Sequence, residues 1–117
     1  MSKCTAVLAF LFISFSTLFA SSTEQLAHDG EVAFYHQNYI EARKALVPAA
    51  QQVNLQAIYL LGVMSLHGYG TPMNYKEAVR IFKLGAQRNH PNSQVALGVL
   101  MIEGSEYRKI TKPHLVY

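Results

Sequence analysis

Five histidines, His28, His36, His67, His90 and His114, are the side chains of this 117-residue chain best suited to holding a metal or moving a proton. None of them forms an H-x-x-x-H or H-E-x-x-H pair, the spacing that brings two imidazoles onto one helix face for zinc. The only cysteine, Cys4, lies in the first few residues, so a zinc site would have to draw ligands from distant parts of the chain. Exposed or capping histidines are the simpler reading. No G-x-S-x-G elbow surrounds any serine. Glu41 and Glu77 stand where helices are expected to start, where a carboxylate caps the helix and meets the positive end of its dipole. The stretch GYGTPMNYKEA, residues 68–78, raises the question of a phosphate loop. That loop needs a buried strand before it and the longer G-x-x-x-x-G-K-[ST] spacing, and neither is here. The residues therefore point to a non-catalytic protein with no cofactor and no metal site.

The elements that would carry these residues begin after a distinct leader. Lys3 precedes an uncharged run from Cys4 to Thr23 whose core is AVLAFLFI, followed by small residues. This is the pattern of a secretory signal peptide over residues 1–22, with usable cleavage sites near Ala20 and Ser22. An uncleaved membrane anchor is the alternative, although Ser14, Ser16, Thr17, Ser21 and Ser22 make a poor span. The expected location is periplasmic or secreted. Without Lys3 the chain has 9 basic and 7 acidic residues, and the basic ones are scattered, which argues against a nucleic-acid partner. Beyond the leader the apolar spacing is helical throughout, with no alternating strand pattern. Helices are expected over Glu24–Gln37, Tyr39–Gln52, Asn54–His67, Asn74–Arg88 and Pro91–Glu103, with Pro48 kinking the second or shortening its last turn. Gly68 should stop the third helix in a left-handed cap, and Gly70 and Pro72 should turn the chain. Asn74 should cap the fourth helix, with Glu77 completing a capping box. The fifth is expected to end at Gly104.

Two pairs of segments align with one shift of 36 residues: NLQAIYLLGVMSLHG with HPNSQVALGVLMIEG, and YIEARKALVPAA with YKEAVRIFKLGA. A shared period of this length is the mark of stacked helix pairs, an α-solenoid. Small residues at fixed places, Ala42 and Ala78, Gly62 and Gly98, are expected to let helices approach closely, each glycine costing about 1 kcal/mol of helix propensity. Leu61-Gly62, Gly68-x-Gly70, Asn74, Glu77-Ala78, Gly85-Ala86 and Leu97-Gly98 together resemble the Sel-one-like repeat, a relative of the tetratricopeptide repeat. The resemblance is fullest over residues 54–104. It implies an all-α, short right-handed solenoid of antiparallel helix pairs, about two and a half repeats. Residues 23–53 would form a degenerate tetratricopeptide-like pair and 54–90 a Sel-one-like repeat. Residues 91–104 would be the first helix of an incomplete repeat and 105–117 a tail.

In the family so resembled, the first helix of each pair lines a concave groove that holds proteins or peptides. On the third helix Gln56, Tyr59, Val63 and His67 share a face. The 36-residue shift carries them to Asn92, Val95, Val99 and Glu103, and aligning Gly30 with Gly62 carries them to Glu24, Ala27, Glu31 and Tyr35. This ladder is the expected partner-binding surface, with ordinary inter-repeat core as the competing reading of Tyr59, Val63, Val95 and Val99. The expected function is that of an exported adaptor or scaffold. An envelope hydrolase acting on cell-wall or lactam substrates, and a remnant of a longer repeat protein, are the alternatives. The end of the chain, SEYRKITKPHLVY, offers no full helix to cover Val95, Leu97, Leu100 and Met101 of the fifth. The tail would fold back on it, the face would self-associate, or the chain would be the remnant.

Overall fold

Helix α2, Tyr39–Gln51, turns Ala42, Leu46 and Ala49 to one buried side and Glu41, Arg43 and Lys44 to solvent. Helix α4, Tyr75–Gln87, repeats the arrangement 36 residues on: Ala78, Phe82 and Gly85 are buried while Lys76, Arg80 and Lys83 are exposed. A stripe at i, i+4, i+7 is what packs a helix against a neighbour. The remaining elements of the computed structural model are α1 (22–35), α3 (Leu55–His67) and α5 (Pro91–Thr111). The structure describes residues 22–111, and side chains as far as residue 104. The signal-peptide reading of residues 1–22, Cys4 and the last residues of the tail thus fall almost wholly outside the described residues. Every described element is a helix, and consecutive helices are joined by short turns, as in a short helical-repeat solenoid. No described helix is long and apolar enough to cross a membrane.

The chain divides into two compact units, one up to Ala57 and one from Ile58. In the first, Gly30 of α1 lies against α2. A Cβ there would meet Leu46 Cγ at 2.6 Å and the Ala42 carbonyl at 3.3 Å. In the second, Gly62 of α3 lies against Phe82 of α4, whose Cε1 would be 2.6 Å from an added Cβ. Phe82, Leu60 and Met64 are among its largest fully buried side chains. Gly85 of α4 meets Ser93 of α5 in the same way, so that an added Cβ would overlap the Ser93 side chain.

The helix ends share one device. After α1, α2, α3 and α4 the chain passes through a left-handed residue, Gln37 (φ 64°), Val53 (φ 62°), Gly68 (φ 74°) and Asn89 (φ 65°). The next N–H then donates back five residues: Asn38 to Ala33 at 2.9 Å, Asn54 to Ala49 at 3.1 Å, Tyr69 to Met64 at 2.9 Å and His90 to Gly85 at 3.0 Å. These are Schellman closures, which use up carbonyls that a helix end would leave unpaired. Only one of the four left-handed residues is a glycine. Gly70 (φ 69°) is the other left-handed glycine and turns the loop as expected. Pro48 does not end α2, which runs on to Gln51.

Three expectations need correction. Helix α5 does not stop at Gly104 but continues to Thr111, taking up residues assigned to the tail. Gly104 is small for packing instead: the Tyr75 hydroxyl donates to the Leu100 carbonyl at 2.6 Å, and a Cβ at Gly104 would lie 2.9 Å from that hydroxyl. Gly98 makes no close helix contact, since nothing lies within 4 Å of where its Cβ would be. Its counterpart Gly62 is close-packed because α4 follows it, and no described helix follows α5. Lastly, only half of the capping box at α4 forms as expected. Asn74 Oδ1 accepts the Glu77 N–H at 3.0 Å, but the Asn74 N–H donates to the Ser65 carbonyl at 2.8 Å. The loop folds back on the end of α3, and an orphan carbonyl there takes the donor first.

Candidate binding surface

Several polar side chains able to do chemistry are engaged in holding helices. Asn54 Oδ1 accepts the Ala57 N–H at 2.9 Å, capping α3 as Asn74 caps α4. His90 Nδ1 and Ser93 Oγ share a hydrogen bond of 2.9 Å at the start of α5. Arg80 donates to both carboxylate oxygens of Glu77, at 2.9 and 2.6 Å, and this hydrogen bond raises the guanidinium pKa further above its ordinary value. The pair is exposed and adds little stability. Among the described residues no three His, Cys, Asp or Glu side chains gather where one metal ion would sit.

The ladder of expected partner-binding residues is spread over both units. In the first, Tyr35 is 69% exposed, its ring edge-on to Phe34 at 5.4 Å between centroids. Gln56 and Glu31, both on the ladder, are brought together, Gln56 Nε2 donating to Glu31 Oε1 at 2.9 Å. In the second, Tyr59 and Val63 are half-buried and pack against the cluster of Ala78, Phe82 and Leu100. The Tyr59 ring lies 5.9 Å from those of both Phe82 and His90. His67 is exposed and stacks on Tyr69 at 5.3 Å. Asn92, Val95 and Val99 of α5 are exposed.

Of the motif residues, Ala78 is fully buried, Leu97 is half-buried against the same cluster and Ala86 is half-buried. Gly68, Gly70, Asn74 and Glu77 form the turn and cap between α3 and α4. The face of α5 expected to lack a cover is exposed at Val95, Val99, Met101 and Ile102, whereas Leu97 is half-buried and Leu100 is buried. Val95, Gly98, Val99 and Ile102 follow the i, i+3, i+4, i+7 spacing of one helix face. Comparison with known proteins finds no matching protein-family model, curated protein or solved structure.

Proposed function

We propose that this chain is an exported, non-catalytic helical-repeat protein that binds another protein or a peptide, with a 36-residue unit similar to the Sel-one-like repeat. The observation that carries the reading is the contrast between its polar and apolar groups. Asn54, Asn74, His90 and Ser93 are committed to caps and helix starts, while α5 presents Val95 at 67% exposure, Val99 at 46% and Ile102 at 67%. Contiguous exposed apolar side chains mark interaction sites more often than bare solvent faces. Export rests on the leader, and the partner is accordingly an extracytoplasmic protein. A photo-reactive amino acid placed in turn at Tyr35, Asn92 and Val95, with Lys76 on the charged face of α4 as control, tests the reading in cells. Adducts with a protein from any of the three positions and none from Lys76 support it; no adduct from any of them overturns it. N-terminal sequencing of the protein should find a start near Ser21–Thr23, and an intact Met1 would overturn cleavage.

A further inference from the structure

We infer that Val95, Gly98, Val99 and Ile102 form a docking site for one amphipathic helix that carries an aromatic side chain four residues after a small one. The inference rests on the protein-binding reading and specifies the chemistry of its partner.

The chain itself shows what such a face receives. These four residues lie 36 positions after Tyr59, Gly62, Val63 and Leu66 of α3. On α3 Gly62 is buried and the other three are half-buried. Tyr59, Val63 and Leu66 pack against Ala78, Phe82 and Leu100, and the Phe82 ring fills the notch where Gly62 has no side chain. On α5 the corresponding positions are exposed, and nothing lies within 4 Å of the space above Gly98. One level of the repeat therefore displays the occupant that the next level lacks. That occupant offers Ala78 and Phe82 at i, i+4, a spacing that sets both on one side of a helix. The first unit uses the same key with an aliphatic residue: Leu46, four after Ala42, fills the notch at Gly30. The bare face on α5 runs about two turns, about 11 Å, enough to seat one helix.

A second copy of α5 fits this face poorly. It would present Val, Gly, Val and Ile in return, with no long side chain to enter the notch at Gly98. An aromatic knob fills it and buries the flanking valines at the same time.

The test uses the full chain and a labelled synthetic peptide of residues 74–89, NYKEAVRIFKLGAQRN, read by fluorescence anisotropy. Saturable binding is expected. A peptide with Phe82→Ala should bind about tenfold more weakly or worse, as should the chain with Gly98→Leu, because the notch is then empty or already filled. Gly98→Leu meets open space, so its helical circular dichroism should match that of the parent chain, and this separates a blocked site from a damaged fold. Equal binding by parent and Gly98→Leu chains overturns the proposal, because the peptide would then be seated elsewhere. So does absence of binding. A concentration-dependent dimer abolished by Val99→Asp assigns the face to a second copy, and peptide binding only after removal of residues 112–117 assigns it to the chain's own end; either also overturns it. A protein adduct from Tyr35 alone, with no peptide bound, removes the α5 site but leaves the broader reading intact. Peptide binding at Gly98 with no adduct in cells does the reverse.

Discussion

Glycines at equivalent repeat positions have opposite physical roles here. Gly62→Ala forces a methyl into the Phe82 ring and should lower stability by about 1–3 kcal/mol. Gly98→Ala meets nothing and should raise it by up to about 1 kcal/mol through helix propensity alone. Urea denaturation of the two variants should move the midpoint in opposite directions. Val53 presents a second residue-scale case. A β-branched residue in the left-handed region costs about 1–2 kcal/mol, and at 43% exposure its side chain recovers little by burial. Val53→Gly should raise the thermal midpoint by about 4–8 °C for each kcal/mol relieved, and an unchanged midpoint would mean that the strain is offset by contacts. The sequence pattern treated Gly62 and Gly98 alike and marked only Gly68 as left-handed. Both misreadings have one cause: a residue's type reports what it tolerates, and its surroundings decide whether the tolerance is used.

At the scale of elements, the 36-residue shift holds in geometry as well as in letters. Val53 and Asn89 are both left-handed, Leu46 and Phe82 both fill a glycine notch, and Ala42 and Ala78 are both fully buried. The small pair Ala49 and Ala57 of the first unit is matched in the second by Gly85 and Ser93, where a methyl removed from one helix accompanies a hydroxyl added to the other. The helix starts are less alike. Asn74 caps α4 with its side chain, whereas Asn38 at the start of α2 makes no such bond. Asn74→Ala should therefore cost about 1 kcal/mol, while Asn38→Ala should cost a few tenths at most. Chemical denaturation of the two single variants checks this, and equal losses would show that the caps contribute by some means other than the side-chain bond. Helix positions and most boundaries were legible beforehand because periodicity and caps are local. The continuation of α5 through Gly104 was not, since the glycine there answers to Tyr75, 29 residues away.

At the scale of the whole molecule, each of the two compact units contains a close helix contact at a glycine, Gly30 with Leu46 in the first and Gly62 with Phe82 in the second. Phe82→Ala removes the largest fully buried side chain of the second unit and should cost about 3–5 kcal/mol, a large part of the stability of a domain this small. Amide exchange should then quicken over α4 and α5, with α1 and α2 keeping their protection. Equal loss throughout would show that the units unfold as one. The sequence by itself determined the all-helical class, the 36-residue period and the turn at Gly68–Asn74, because each is written in residues a few positions apart or in direct repetition. Only the tertiary structure decided which faces are covered. Tyr59, Gly62, Val63 and Leu66 are spaced just as Val95, Gly98, Val99 and Ile102 are, yet the first set is packed and the second is bare. Spacing defines a face, but burial requires a second helix against it, and α4 supplies one to this face of α3 while no described helix supplies one to the same face of α5.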